Sequence, residues 1–317
     1  MTVTVLRAGG RWWAEDPLSG RALRIATSAR TTAELLADRQ AVDKTAAAVA
    51  TSAEAVDVAG LELESPVTTP CRVVAQMVNF RSHAKDSGFD PDAVPPTFFR
   101  KASGSVTGPR SVIVRPAHVS LLDYEVELGL VLGAHLPLNT AVAEGDLPRY
   151  VAGLVVADDV SARDVQLPKG QFYESKSYPT FTPLGPRLVL LDVSDFARLD
   201  RLRLRLWVND VLRQDRTVAD MIVRPAHALT LLARFQTLAP GDLLLTGTPG
   251  GTALKAPPKP VELIAGLLPP AIRWRAFFAM QAKNPAYLGH GDVVTATIAT
   301  DDGAIDLGTQ RTPVEHL

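Results

Sequence analysis

The sequence predicts a mixed α+β fold in which strands outnumber helices. Strand-like runs recur after about residue 70, separated by loops rich in Gly, Pro, Asp and Asn. Few helical patterns interrupt them, the clearest at residues 218–235. Sparse, irregularly placed helices argue against a doubly wound sheet, in which strands and helices alternate. The predicted strands lie at residues 73–78, 112–114, 124–132, 150–156, 188–193, 202–208, 243–245 and 293–298.

The first 68 residues are predicted to form a small N-terminal α/β module. Its predicted elements are strands at residues 3–6 and 22–25 and one or two helices within residues 31–53. Thr31 and Thr32 are suitable N-cap residues for the first helix. The linker-like stretch 64–70 then precedes a change in character. We place the boundary near residue 68, so that residues 69–317 form the catalytic domain.

Composition and charge exclude several classes of protein. The 317 residues are 46% hydrophobic, which supplies a sizeable core. Lys and Arg total 33 against 34 for Asp and Glu, so the basic surface of a nucleic-acid binder is absent and no membrane partner is expected. Cys71 is the only cysteine, which excludes intrachain disulfides and cysteine-based metal sites. Without a signal-peptide pattern or an apolar run of about eighteen residues, we expect a soluble, cytoplasmic protein.

The segment 123–130, with the sequence DYEVELGL, is the most informative in the chain. Its apolar residues alternate with the others, the period of a strand, so Glu125 and Glu127 project from one face together with Asp123. Residues two apart on a strand lie about 6.5–7 Å apart at their Cα atoms. Carboxylates converging from there can bind one cation. Taken alone, a solvated strand face, on which acids need no partner, is an equally good interpretation.

A second acidic site shifts the balance toward metal binding. An apolar strand at residues 151–157 ends in Asp158 and Asp159, and acids at the exit of a rigid strand are well placed to act as ligands. The residues alone do not choose between these two aspartates. Because every candidate ligand is a carboxylate, we expect Mg²⁺ or Mn²⁺, with Ca²⁺ as a further option, rather than zinc or copper. A β-dicarbonyl or α-keto acid would chelate the open coordination positions as its enolate.

Two further residues are candidates for chemistry. His83 follows the strand at residues 73–78, and Asp86 lies three residues on, which on a helical turn places both on one side. An acid beside a histidine fixes its tautomer and raises its basicity, as a general base requires. Lys176 would stabilise a developing carbanion or oxyanion if it faced the acids. Without other context, a surface histidine and a solvated lysine are the commoner interpretations.

Three other patterns are less informative. The stretch 247–252, GTPGGT, lacks the Gly-Lys-Ser/Thr ending of a phosphate loop, so we interpret it as a tight turn whose amides and Thr248 hydroxyl line a pocket. Trp12 and Trp13 are interpreted as packing or interface residues. The alternating run RLRLRL at residues 201–206 is typical of a solvated strand face.

From about residue 70 to its end, the chain resembles the fumarylacetoacetate hydrolase family. Five motifs occur in the family's order, and the segment 209–221 matches as well. The motifs lie within residues 79–83, 123–128, 159–166, 176–186 and 241–249. The resemblance implies a mixed β-roll or β-sandwich catalytic domain, usually dimeric, with a Mg²⁺ or Mn²⁺ site. It covers little of residues 1–68.

The resemblance also implies roles for residues. The metal ligands would be Glu125, Glu127 and Asp159, which selects Asp159 over Asp158. The remaining roles follow the same matching: Lys176 would stabilise a carbanion leaving group, His83 with Asp86 would activate water, Gln166 and Thr248 would contact substrate oxygens, and Arg163 would support the substrate site.

The function that the resemblance implies is a Mg²⁺- or Mn²⁺-dependent hydrolase. Family members cleave carbon–carbon bonds next to a carbonyl, decarboxylate oxaloacetate or isomerise dienoate diacids. We therefore expect a homodimer that acts on a β-dicarbonyl or acylpyruvate-like keto acid through an enolate, with no nucleic-acid or membrane partner. A decarboxylase or isomerase on the same scaffold is one alternative, and a catalytically silent binding subunit is another.

The chain departs from the family pattern at several positions. Phe80 replaces the usual tyrosine, Asp86 the usual glutamate and Asp158 the usual asparagine. Since aspartate is one methylene shorter than glutamate, the contact between His83 and Asp86 is expected to be longer or not to form. Residues 256–290 are longer and more apolar than expected, and we hypothesise that they form a lid or interface element beside an apolar pocket. Packing against a partner subunit is the equally weighted alternative.

Overall fold

A computed structural model describes residues 1–256 and 269–317. It confirms a mixed α+β fold. The strands are β1 (Val3–Ala8), β2 (Arg11–Asp16), β3 (Arg21–Arg24), β4 (Val56–Asp57), β5 (Leu63–Glu64), β6 (Val73–Met77), β7 (Thr97–Lys101), β8 (Val106–Thr107), β9 (Ile113–Arg115), β10 (Leu122–Asp123), β11 (Val126–Leu132), β12 (Val151–Asp158), β13 (Ser161–Ala162), β14 (Thr182–Pro183), β15 (Leu188–Leu190), β16 (Arg203–Val208), β17 (Val211–Thr217), β18 (Leu243–Leu245), β19 (Val293–Ala299) and β20 (Asp306–His316). The α-helices are α1 (Thr32–Ala37), α2 (Arg39–Ala48), α3 (Arg81–Asp86), α4 (Leu147–Tyr150), α5 (Arg163–Lys169), α6 (Pro225–Leu232) and α7 (Pro270–Gln281).

Two sheets form the framework. The larger sheet has the strand order β4-β3-β2-β1-β15-β12-β11-β18-β6-β7, with β5 paired to β1. Its pairs are antiparallel except for β18 with β6. The second sheet has the order β17-β16-β19-β20-β9 and packs on the larger one, because β11 contacts β16 and β12 contacts β19 and β20. Two short pairs, β10 with β13 and β8 with β14, lie outside both sheets.

Strand β11 is buried on both faces. Leu128 and Leu130 belong to the core between the two sheets. Val131 points to the other face and joins a second core, which includes Leu35 of α1 and Val42 of α2. The predicted alternation of β11 is therefore confirmed, whereas its acidic face is not solvated.

The N-terminal segment extends the larger sheet rather than standing apart from it. Strand β1 pairs with β15, and Trp12, 2% exposed, packs in the same core as Leu188. Thr31 caps α1 through a capping box with Glu34, as its sequence position predicts. A boundary near residue 68 between two domains stays a prediction.

Several elements differ from expectation. The helix predicted over residues 218–235 is instead a short 3₁₀ turn followed by α6. A proline disfavours helical backbone at the residue before it, and Arg224, which precedes Pro225, is extended. Strands β2, β7, β17 and β20 were not predicted. Strands β17 and β20 are rich in polar residues, which weakens the strand pattern in the sequence. In the described residues, no helix is long and apolar enough to span a bilayer. Residues 257–268 of the hypothesised lid lie outside the described residues.

Candidate metal centre

Three carboxylates converge where β11 begins and β12 ends. Glu125 precedes β11, Glu127 lies in it, and Asp159 follows β12. One oxygen of each lies within 4.8 Å of the others, and all three side chains are buried. Such a group of oxygen donors could hold a hard divalent cation.

The register between β11 and β12 explains why Asp159 rather than Asp158 joins the glutamates. Val126 lies opposite Asp158, and Glu127 lies opposite Ala157. Residues directly opposite each other share a face of the sheet. Because faces alternate along a strand, the residue two positions beyond Ala157 returns to the face of Glu127.

Asp158 makes a different set of contacts. Its Oδ1 accepts a hydrogen bond of 2.8 Å from the backbone amide of Glu125. Its Oδ2 is buried without a hydrogen-bond partner in the part of the chain that the structure describes. Burial raises the pKa of Asp158 to about 7. Asp158 therefore fixes the backbone that leads into β11 and lies outside the group of three carboxylates.

Two buried lysines contact the carboxylates. Lys176 Nζ donates to Glu125 Oε2 and to Asp159 Oδ2, both at 2.6 Å. Lys101 pairs with the other oxygen of Asp159 and donates to the carbonyl of Phe181 at 2.8 Å. Burial favours the neutral form of both ammonium groups. At Lys101 burial prevails and lowers the pKa, whereas at Lys176 the attraction of Asp159 and Glu125 outweighs burial and raises the pKa. Lys176 therefore faces the acids, which is the condition that its expected role requires.

Arg163, at the start of α5, holds several groups in place. Its Nε donates to Asp123 at 2.8 Å, its Nη1 donates to Gln166 Oε1 at 2.9 Å, and its Nη2 pairs with Glu125. Burial would raise the pKa of Glu125, but Arg163 and Lys176 outweigh it and hold that pKa below its usual range. Since each terminal nitrogen already has a protein acceptor, Arg163 supports its neighbours in this structure.

Glu127 has no cation partner among residues 1–256 and 269–317. Its Oε2 accepts a hydrogen bond of 2.8 Å from the amide of Gly247, and burial, followed by repulsion from Asp159 and Glu125, raises its pKa well above the usual range. In the described cluster, three buried cations face five buried acids: Asp123, Glu125, Glu127, Asp158 and Asp159. When all five acids are ionised they outnumber these cations by two, and a bound divalent cation would offset that excess. The residues therefore fit a divalent metal.

The turn after β18 borders the carboxylates. Gly247 has φ +84°, and a Cβ there would lie 2.7 Å from the Cβ of Asn79, so the turn requires glycine. Thr248 Oγ1 donates to the carbonyl of Val126 at 3.0 Å and accepts from Gln214 Nε2 at 2.8 Å. Thr248 was predicted to contact substrate oxygens, but in this structure its hydroxyl donates its proton to the carbonyl of Val126.

His83 and Asp86 are not hydrogen-bonded to each other, which is one of the two outcomes expected from the shorter aspartate. Within the described residues, the buried Nδ1 of His83 has no hydrogen-bond partner. Asp86 Oδ2 instead accepts from the amide of Gly251 at 2.9 Å. The physical reason is that the short aspartate side chain is held by this turn and does not extend back to the imidazole. Burial lowers the pKa of His83, which favours its neutral form.

A cavity of about 710 Å³ lies over the carboxylates. Its polar lining consists mainly of predicted site residues: His83, Glu125, Glu127, Arg163, Gln166, Lys176 and Thr248. Asp159 lies beneath them at 0% exposure. Helix α7 forms one wall through Trp274, Phe277 and Met280, so the described part of residues 256–290 does border an apolar pocket.

Two site residues were not predicted. Lys101 ends β7 and is 58 residues from its partner Asp159, and no local pattern marks such a distant pairing. Asp123 was placed on the same face as the glutamates but was given no role. Its contacts with Arg163 and with the amide of Ala253, at 2.8 Å each, connect α5 to the turn region.

Comparison with known proteins places most of the chain in one family. Residues 72–315 match the family model described as fumarylacetoacetate (FAA) hydrolase C-terminal. Oxaloacetate tautomerase Fahd2a, mitochondrial, from Rattus norvegicus is 36% identical over 205 residues, which is 64% of this chain and 63% of that protein. The match thus spans less than two thirds of the rat protein. The 2,4-didehydro-3-deoxy-L-rhamnonate hydrolase of Sphingomonas sp. (strain SKA58) is 36% identical over 224 residues, covering 68% and 76% of the two chains.

Solved structures resemble the whole chain. A probable 2-hydroxyhepta-2,4-diene-1,7-dioate isomerase from Mycobacterium abscessus is 27% identical with a TM-score of 0.75, covering 100% of this chain and 99% of that one. A putative HpcE protein from Mycobacterium smegmatis is 26% identical with a TM-score of 0.74, covering 99% of both chains. The resemblance therefore includes the N-terminal segment.

Proposed function

The chain belongs to the fumarylacetoacetate hydrolase family, and from that premise we propose that it is a Mg²⁺- or Mn²⁺-dependent hydrolase. Its proposed reaction is cleavage of a carbon–carbon bond in a β-dicarbonyl or acylpyruvate-like keto acid. The observation that carries the proposal is Glu127, a buried carboxylate beside Glu125 and Asp159 that has no cation partner in the described chain. Such oxygen donors suit hard divalent cations.

The buried residues divide the work between them. Glu125, Glu127 and Asp159 would hold the metal, which when bound would polarise the carbonyl groups of a keto acid. Lys176 keeps its proton, so its ammonium group would stabilise negative charge that develops on the substrate. Because the carbonyl oxygen of Gln166 is held by Arg163, the amide N–H groups of Gln166 are the part offered to a substrate oxygen.

His83 is the proposed base for the attacking water. It lines the cavity, and its imidazole is in the neutral form that can accept a proton. In hydrolysis, His83 would take a proton from water as the oxygen bonds to the carbonyl carbon. The carbon–carbon bond would then break with its electron pair on the carbon beside Lys176, and the proton held by His83 would pass to that carbon to complete the hydrolysis.

An isomerase, tautomerase or decarboxylase is the second candidate, and Asp86 favours it. Asp86 bonds to the amide of Gly251 and leaves His83 without an orienting acid. Hydrolysis depends on a base that is oriented toward a water molecule. A proton shift needs a proton acceptor but no positioned water, and loss of carbon dioxide needs only a stabilised enolate. The rat relative carries the name oxaloacetate tautomerase, and the Mycobacterium abscessus structure that of a probable isomerase.

The products distinguish these reactions. The full-length protein would be incubated in D₂O with Mg²⁺ or Mn²⁺ and with acetylpyruvate, oxaloacetate or a dienoate diacid, and the products identified by mass and NMR. Acetate plus pyruvate from acetylpyruvate supports the hydrolase. Deuterium incorporation or double-bond migration without cleavage, or release of pyruvate and carbon dioxide from oxaloacetate, supports the second candidate when it is faster than in the enzyme-free control. No reaction, together with no calorimetric Mg²⁺ binding, would leave a silent binding subunit.

A homodimer and a cytoplasmic location stay proposals. The family resemblance supports the homodimer, which sedimentation velocity would test directly. The location is open because several relatives carry mitochondrial names, and imaging of a tagged full-length chain would decide it.

A further inference from the structure

The cavity has an apolar half that the proposed chemistry does not use. Its side chains come from α7, from the strand and helix regions beside Lys176, and from the loop after α3. They are Phe89, Phe99, Leu167, Phe172, Trp274 and Phe277, with Met280 at the end of the same wall. Aromatic and aliphatic side chains gathered in one cavity mark a surface that binds a ligand.

Phe99 connects the apolar half to the proposed catalytic lysine. Lys176 Nζ lies 5.3 Å from the centroid of the Phe99 ring. The rings of Phe99 and Phe172 stack with their centroids 5.0 Å apart and an interplanar angle of 27°. A substituent attached beside the carbon that Lys176 faces would therefore meet an aromatic surface.

Helix α7 supplies the opposite wall. Trp274, Phe277 and Met280 follow one another at intervals of three residues, which places them on one side of the helix. Met280 is 47% exposed, and the two aromatic residues are half-buried. These side chains retain apolar surface that a ligand would remove from water.

We propose that the substrate carries a bulky apolar substituent, an aromatic ring or an alkyl chain, which lies between the Phe99–Phe172 pair and α7. This inference rests on the proposed function, because it adds a tail to the keto-acid head group. The volume supports it: the cavity measures about 710 Å³, and cavities of roughly 300–1,000 Å³ enclose drug-sized ligands. A small acid such as oxaloacetate would leave the apolar half filled with water.

The test compares three acylpyruvates, whose acyl groups carry a methyl, a pentyl or a phenyl substituent. Each buried methylene is expected to raise kcat/KM about threefold to fourfold. The pentyl and phenyl substrates should therefore exceed the methyl substrate by at least about tenfold. Equal kcat/KM values across the series would overturn the inference.

Variants of α7 locate the effect. Trp274→Ala should lower the ratio of kcat/KM for the phenyl substrate to that for the methyl substrate by about tenfold, and Phe277→Ala should act in the same direction. Ile272→Ala is the matched control, because Ile272 lies on the same helix, is 54% exposed and does not line the cavity. A ratio unchanged by both aromatic substitutions would contradict the proposed location.

A binding measurement separates this inference from the proposed function. If no acylpyruvate is cleaved, the hydrolase proposal fails, and the dissociation constants of the three acids in the presence of Mg²⁺ still decide the inference. Tighter binding of the pentyl and phenyl acids that is lost in Trp274→Ala supports it. Equal dissociation constants for the three acids overturn it.

Discussion

The backbone amide of Asp159 donates a hydrogen bond to the backbone carbonyl of Glu125, with the nitrogen and oxygen 2.8 Å apart. This bond extends the pairing of β11 and β12 by one residue, before the start of β11 and after the end of β12. It fixes the distance between two chain segments that would otherwise diverge as loops. The acids from both segments therefore lie on a rigid backbone, as precise metal coordination requires.

The two aspartates at the end of β12 should differ sharply in metal binding. We expect Asp159→Asn to weaken Mg²⁺ binding by at least about 100-fold, since loss even of a group that only supports a ligand costs about 10–100-fold. Asp158→Asn should change it by less than about tenfold, because its Oδ1 contact with the Glu125 amide is retained. Calorimetric titration measures both constants, with circular dichroism as the check on folding. Equal losses in the two variants would contradict the assignment from strand register.

The sequence predicted the acids of this site but not how they come together. Alternation within residues 123–130 placed Glu125 and Glu127 on one face, because that period is a local property. The choice of Asp159 depends on the register with β12, which is set by non-local pairing, and so it came from the family resemblance. Lys101 was missed for the same reason: its strand β7 is joined to the site only through the sheet.

Competition between contacts explains the remaining differences. The spacing of His83 and Asp86 predicted a pair on one helical turn, but α3 is short and packs beside the turn that contains Gly251. The backbone amide of Gly251 donates a hydrogen bond to the carboxylate of Asp86. A local pattern specifies which groups can meet, and tertiary packing decides which partner each one has.

Glu127→Gln should stabilise the metal-free protein. The wild-type carboxylate is buried beside Asp159 and Glu125, and its raised pKa means that folding must either take up a proton or bury a repelled charge. Glutamine avoids both costs while keeping the shape and the Gly247 contact. We expect the melting temperature measured in EDTA to rise by a few degrees, because about 1 kcal/mol shifts it by about 2–4 °C in a chain of roughly 150–250 residues and by less in a longer one. On addition of Mg²⁺, we expect the melting temperature of the wild-type protein to rise and that of the variant to stay unchanged. A lower melting temperature of the variant in EDTA would contradict the interpretation of Glu127 as an uncompensated charge.

Cys71 should react slowly with alkylating reagents. Burial raises the pKa of its thiol to about 11, and the thiolate is the reactive species. The folded state therefore binds the proton more tightly than the unfolded state, and at pH 8 about a thousandth of the thiol is ionised. The rate of iodoacetamide labelling, followed by mass spectrometry, should rise about tenfold per pH unit from pH 7 to 10. The same reaction in denaturant is the control, and a rate that levels off near pH 8.5 in the folded protein would refute the shift.

Substitutions of His83 and Asp86 should separate water activation from enolate chemistry. If the enzyme is a hydrolase, His83→Ala should lower kcat for acylpyruvate cleavage by about 10²–10⁴-fold, the usual contribution of a general base. Asp86→Ala should have a smaller effect on kcat than His83→Ala, because Asp86 contacts Gly251 rather than the imidazole. Steady-state kinetics with Mg²⁺ measures both, and Asp86→Asn, which can still accept the Gly251 hydrogen bond, is the matched control for loss of the turn. A His83→Ala variant that keeps most of its acylpyruvate-cleaving activity would show that His83 is not the base of the hydrolysis. If the enzyme instead decarboxylates oxaloacetate, that activity should tolerate His83→Ala, because it depends on Lys176 and the metal. Equal losses for His83→Ala and Asp86→Ala, with Asp86→Asn equally impaired, would show that the two residues act as a dyad during turnover despite their separate contacts in this structure.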